Sequence, residues 1–130
     1  MPHTLTIHEL TVRLAAKELT AREATQACLD RVAAVDRELN AFIGHDAEDA
    51  LAQAEAADHA LANGVSYDTK PLLGVPIAIK DVIAVKDQPL SCGSKILGKF
   101  SSPYEATVIS KLRDAGAVIF GRLNMDEFAM

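Results

Sequence analysis

The sequence predicts an α/β fold in which N-terminal helices pack on the start of a parallel sheet. Three observations carry this. Residues 1–65 place apolar side chains at helical spacing behind residues suited to capping helix N-termini. The composition shifts near residue 65, from Ala-rich and acidic to a segment punctuated by Pro and Gly. Two short apolar runs, 75–79 and 117–120, then flank a helical pattern, the order of a right-handed βαβ crossover with parallel strands. The 130 residues, 49% hydrophobic and 24% charged, fit one ordinary domain and not a two-domain enzyme. Leu, Ile, Val and Phe are too plentiful for disorder. With 5% aromatics and no Trp, the core must be built from Ala, Leu, Val and Ile.

The elements follow in order. Thr6-Ile7-His8-Glu9 is a capping box, and Ile7, Leu10 and Leu14 share the face behind it. Thr20-Ala21-Arg22-Glu23 repeats the signal ahead of Ala24, Cys28, Val32, Val35 and Leu39. Ala41-Phe42-Ile43 reads as a short strand or a packed connector. Asp46 caps an Ala-rich helix whose stripe is Ala47, Ala50, Leu51, Ala54 and Leu61, with Asn63-Gly64 as its stop. After a polar linker from Val65 to Lys70, the extended segment Pro71–Pro76 leads into Ile77-Ala78-Ile79-Lys80-Asp81, a buried strand ending in a charged pair. Ser102-Pro103-Tyr104-Glu105 reads as a third capping box, for a helix with Val108, Leu112 and Ala115 on its apolar face and Gly116 as its end. Ala117-Val118-Ile119-Phe120 is the second strand. Asn124-Met125-Asp126-Glu127 reads as a fourth capping box, three residues before the last, Met130. Two parallel strands alone would both be edges. The expectation is that this is the front of a longer polypeptide; the competing reading is a short final turn packed on the sheet.

Charge and motif content narrow the function. Residues 1–65 carry five basic and eleven acidic groups and residues 66–130 eight and seven, so the first half is unsuited to gripping a phosphate backbone by itself. Met1-Pro2-His3-Thr4 opens no signal peptide, and no apolar run reaches the ~18 residues that span a bilayer. Cys28 and Cys92 lie far apart, as reduced thiols of a cytoplasmic protein would. His3, His8, His45 and His59 are scattered and form no metal motif, and the glycines form neither a P-loop nor a dinucleotide fingerprint.

Lys80 stands out. A lysine closing the run 75–79 is expected to be partly buried, which favours the neutral amine that serves as base or nucleophile. The plainer reading is a strand-end pair of Lys80 with Asp81 facing water. Ser91 and Ser94 flank Gly93 in a loop expected near the C-terminal end of the Lys80 strand, where α/β folds place ligands. With no S-x-x-K or G-x-S-x-G present, these serines read as loop-structuring rather than nucleophilic.

Pro71-Leu72-Leu73-Gly74-Val75-Pro76-Ile77-Ala78-Ile79-Lys80-Asp81 resembles the lysine motif of the amidase signature family. Ser91–Leu97, Pro103–Val108 and Gly116–Gly121 are similar to the segments that follow it there. Asn124-Met125-Asp126-Glu127-Phe128-Ala129-Met130 most resembles the family branch that serves tRNA-dependent amidotransferases. The resemblance implies that residues 1–130 are the N-terminal portion of one amidase domain, with a helical region over 1–65 and, over 66–130, the start of the α/β core and its mixed, largely parallel sheet. It implies a Ser–cis-Ser–Lys triad in which Lys80 is the lysine; both serines fall in a downstream Gly/Ser-rich stretch that these residues lack. It implies a glutaminase that releases ammonia from glutamine, partner B and C subunits that use ATP and Mg²⁺ to amidate glutamyl- or aspartyl-tRNA, no cofactor or metal in the glutaminase itself, and no membrane. Met130 is implied as a backbone contact near the glutamine pocket. The alternatives are a stand-alone amidase of the same family and a non-catalytic helical interaction module.

Overall fold

The computed structural model describes residues Met1 to Met130. The elements are α1 (Ile7–Ala15), α2 (Ala21–Leu39), β1 (Phe42–His45), α3 (Ala47–Ala62), β2 (Pro76–Lys80), α4 (Thr107–Asp114) and β3 (Val118–Leu123), with single 3₁₀ turns at Pro2–Thr4, Lys95–Leu97 and Glu127–Ala129. The first three helices begin where the capping residues put them. The Glu9 N–H donates to Thr6 Oγ1 at 3.2 Å while the Thr6 N–H donates to Glu9 Oε2 at 2.8 Å. Thr20 and Glu23 repeat the exchange at 3.0 and 2.9 Å. The threonine backbone N–H first, and its hydroxyl second, hold both glutamates below the usual carboxylate range. Each cap is therefore complete above the unfolded glutamate value and lost as pH falls through the folded one. Asp46 caps α3 by accepting from the Asp49 N–H at 3.0 Å.

α2 and α3 pack through small side chains, with Ala21, Ala24, Ala50, Ala54 and Ala57 all buried. Asp58 of α3 also caps α2 from outside, its carboxylate accepting from the Ala21 and Arg22 N–H groups at 2.7 and 3.1 Å. Two of the helix's free amides are thus satisfied by its neighbour. On α1, Leu10 and Leu14 are buried while Ile7 is 53% exposed. Cys28 is half-buried on α2, and burial pushes its thiol pKa up; both cysteines are free.

The sheet order is β1-β3-β2, with β3 antiparallel to β1 and parallel to β2. The segment around Phe42 is therefore a strand, and the helical first half contributes it. Val118 and Phe120 of β3 join the core beneath α1, α2 and α3. Ile119 and Ile79 point to the other face, where Ile109 of α4 covers them. β1 is too short to reach Ile119. Instead the Gln53 side chain of α3 acts as a strand substitute, accepting from the Ile119 N–H and donating to its carbonyl, each at 3.0 Å.

Two of the expected capping boxes are not formed. α4 starts at Thr107 behind Ala106, without a side-chain cap. Ser102 is buried and its hydroxyl donates to the Tyr104 carbonyl at 2.7 Å, while Glu105 accepts from Arg113 Nε at 3.2 Å. The same residue types thus close a turn one step ahead of the helix. As a result the buried residue of α4 is Ile109, and Val108 is 48% exposed. At Asn124, Oδ1 accepts from the adjacent Met125 N–H and Nδ2 donates to the Asn40 carbonyl, so it ties two loops together instead of opening a helix.

Gly116 ends α4 at φ +91°, where a Cβ would stand 2.8 Å from Leu73 Cα. The obstacle is backbone and cannot rotate aside. Gly116→Ala is expected to cost about 3 kcal/mol through left-handed strain plus overpacking, measured as a loss in denaturant unfolding.

Tyr67 donates its hydroxyl to the Leu73 carbonyl at 3.1 Å. Burial, with the Asp58 carboxylate adding to it, pushes its pKa up to about 12 from an ordinary 10.0. A raised acid stabilises the fold fully below the unfolded value and loses that contribution as pH rises through the folded one. Stability is expected to decline between about pH 10 and 12, and Tyr67→Phe to flatten that limb in alkaline unfolding. Equal slopes in parent and variant would count against the assignment.

Candidate active site

The site is built at the C-terminal end of β2. Alternation along the strand sends Ile79 to the α4 side, Lys80 to the opposite side and Asp81 back again. The Lys80 side chain is exposed and forms no hydrogen bond or ion pair. Two expectations are thereby corrected: Lys80 is not buried by these residues, and Asp81 is not its partner. The strand ends one residue before the chain turns inward, so the long lysine stem runs past the edge of the core.

Asp81 is 1% exposed and Arg122 4%, and they pair with each other, Arg122 Nε to Asp81 Oδ1 at 3.1 Å. The other carboxylate oxygen, Oδ2, accepts from the Ser91 N–H at 3.1 Å, from the Ser91 hydroxyl, and from the Gly93 N–H at 3.4 Å. The Asp81 carbonyl accepts from the Cys92 N–H at 3.2 Å. A single buried carboxylate thus holds the whole 91–93 loop against the strand end, as expected for that loop's position. Ser91 is committed to this structural bond, in keeping with its reading as a loop-forming residue. Arg122 Nη2 donates to the Ile83 carbonyl at 2.8 Å, while Nη1 is buried without a partner.

Arg122 reaches Asp81 because of a bulge. Ile77 pairs with Ile119 and Ala78 with Gly121, leaving Phe120 as an extra residue in β3. Without it, Arg122, three residues after Ile119, would face α2 and α3. With it, Phe120 and Gly121 both face that side and Arg122 returns to the Asp81 side. Gly121 is required there, because a Cβ would lie 2.7 Å from the Phe42 ring. Arg122 is the residue beside the strand end that sequence reading missed. Its signal was a glycine inside an apolar strand followed by a charge, Phe120-Gly121-Arg122.

The last residues dock on the same loop. The Phe128 N–H donates to the Cys92 carbonyl at 2.9 Å, and the Ser94 hydroxyl donates to Glu127 Oε1 at 2.7 Å. Cys92, Phe128 and Ala129 all adopt positive φ, so both sides of this contact are conformationally strained. Met130 is 97% exposed, its N–H donating only to the Glu127 carbonyl. No hydrogen bond joins Lys80 and Met130; their segments are linked through Asp81, Cys92 and Phe128. A cleft of about 970 Å³ opens on the Arg122 side, lined by His45, Asp46, Gln88, Ser91 and Arg113 among others. Lys80 does not line it, since the strand turns its side chain the other way. No three His, Cys, Asp or Glu side chains converge as metal donors.

Comparison with known proteins places this arrangement. The model of the Amidase family matches residues 23–130. The chain belongs to the amidase family. Amidase-family relatives include the A subunit of the glutamyl-tRNA(Gln) amidotransferase of Desulfotalea psychrophila, 51% identical over 98% of this chain and 26% of its own length. The protein of the same name from Mycobacterium avium is 54% identical over 93% of this chain and 24% of its own. Among solved amidases, the native peptide amidase from Stenotrophomonas maltophilia superposes with a TM-score of 0.87 at 38% identity, over 94% of this chain and 25% of that one. The layout of four helices and a three-stranded mixed sheet is therefore that of amidase signature enzymes. The chain spans about a quarter of the length of the curated relatives it matches. No helix is long and apolar enough to cross a membrane.

Proposed function

We propose that this chain is the N-terminal portion of the amidase domain of a glutaminase subunit in a cytoplasmic tRNA-dependent amidotransferase, and that Lys80 is its catalytic base. One observation carries the chemical part: an unpaired lysine amine at the end of β2, beside a loop held rigid by a buried carboxylate. Relatives named as amidotransferase A subunits reach 51–54% identity across nearly the whole chain, against 38% for the peptide amidase, which supports the amidotransferase reading over a stand-alone amidase.

In the complete enzyme the Lys80 amine takes a proton relayed through a bridging serine. The nucleophilic serine attacks the side-chain amide carbon of glutamine, and backbone N–H groups hold the oxyanion. Collapse of that intermediate releases ammonia, and water then frees glutamate from the acyl-enzyme. On this reading both serines lie outside residues 1–130, which by themselves do not turn over glutamine. Residues Asn124 to Met130 border the substrate, with the Met130 backbone as a contact. ATP and Mg²⁺ serve the partner subunits' activation of glutamyl- or aspartyl-tRNA.

Co-expression of the complete polypeptide with B and C subunits tests this. The expected result is a stable three-subunit complex that converts glutamyl-tRNA(Gln) or aspartyl-tRNA(Asn) using glutamine, ATP and Mg²⁺. Failure to assemble, with hydrolysis of other amides by the isolated polypeptide, would point to the stand-alone amidase instead.

A further inference from the structure

We infer that Arg122 is a positioning residue for Lys80, acting by clamping shut the turn that leaves β2. The inference rests on the reading of Lys80 as the base. The turn runs from Lys80 to Ile83 and is closed by the Ile83 N–H donating to the Lys80 carbonyl at 2.9 Å. Arg122 bonds two points of that turn from within the core, the Asp81 carboxylate through Nε and the Ile83 carbonyl through Nη2. The Asp81 N–H donates to the Leu123 carbonyl at 3.1 Å, so the residue after Arg122 pins the turn as well. Lys80 is thus the first residue of a turn fixed at its second and fourth positions by one rigid, planar group.

The clamp matters because Lys80 has no bond of its own. Its flexible side chain has no partner among these residues, so only the backbone it springs from is fixed by this part of the chain. Alternation places Arg122 on the opposite side of the sheet, so it cannot touch the reacting atoms and acts only through the turn. A base misplaced by about 1 Å costs on the order of 100-fold in rate.

The test is steady-state glutamine hydrolysis by the complete enzyme, with kcat expressed per folded molecule. Arg122→Met is expected to lower kcat about 100-fold with KM for glutamine unchanged, the split that loss of transition-state alignment produces. Arg122→Lys keeps a charge against Asp81 but cannot also reach the Ile83 carbonyl, and is expected to lie about tenfold below the parent, between the two. If Arg122→Met does not fold, Arg122→Lys decides the matter. Parent kcat per folded molecule in the folded variants, beside an inactive Lys80→Ala, would overturn the clamp while leaving Lys80 as base. An active Lys80→Ala would overturn the reading of Lys80 itself, and the clamp's catalytic role with it.

Discussion

Lys80→Ala in the complete enzyme is expected to lower kcat for glutamine hydrolysis by about ten-thousandfold or more, the scale on which triad members are lost. Within residues 1–130 Lys80 is exposed and has no partner, so the same substitution disturbs none of the contacts that hold this part of the fold. These two outcomes belong together. An exposed lysine with no ion pair or hydrogen bond contributes little to the fold, so its removal isolates the chemical role. Glutamine hydrolysis at parent rates in this variant would remove Lys80 from the mechanism. Thermal unfolding of the same preparation checks that the loss is not one of folding.

Arg122 and Asp81 behave in the opposite way, as a stability pair. Both are almost wholly buried, at 4% and 1% exposure, and removing one leaves the other's charge without compensation. Asp81→Leu is expected to destabilise the protein by about 3–5 kcal/mol, and the double variant Asp81→Leu with Arg122→Met to recover part of it. Against a total of about 5–15 kcal/mol for a domain, the single change is severe. The loss has two parts: the stranded guanidinium, and the 91–93 loop, which hangs from the Asp81 carboxylate by three further hydrogen bonds. The double variant repairs the first and not the second. Denaturant unfolding of parent, both single variants and the double one measures the coupling; simple additivity would show that the pair is not coupled.

How far the sequence could be read depends on whether the deciding interaction was local. The helix starts at Thr6, Thr20 and Asp46 were legible because the cap and its acceptor lie within one turn. Ser102 carries an equally good local signature, yet its hydroxyl is drawn to the Tyr104 carbonyl and Glu105 to Arg113, a partner eight residues away. The parallel pairing of β2 with β3 followed from the apolar runs and the helix between them. The antiparallel partner did not, since a four-residue strand at Phe42–His45 has no periodicity to distinguish it from a connector. At the site, the position of Lys80 at the end of β2 was legible from the apolar run before it. Its exposure was not, because the apolar run before it predicts burial of the strand and says nothing about the stem beyond. Arg122 was hidden by the bulge at Phe120, which reverses the inward and outward sense of every residue after it. A one-residue irregularity set by the fit of Gly121 against Phe42 cannot be counted off a pattern of period two.

The central place of β3 also sets an order of assembly. α2 and α3 are near neighbours in sequence, and their Ala-lined contact can form as soon as both have been synthesised. The sheet cannot follow at once. Both β1 and β2 pair only with β3, the last of the three strands, and the loop between β1 and its partner spans most of the chain. Closing a loop of that length is entropically slow relative to local helix formation. On the ribosome, then, the helical layer stands with Phe42 uncovered until Val118–Leu123 emerges, an interval in which this polypeptide is open to association with other nascent chains and to capture by chaperones.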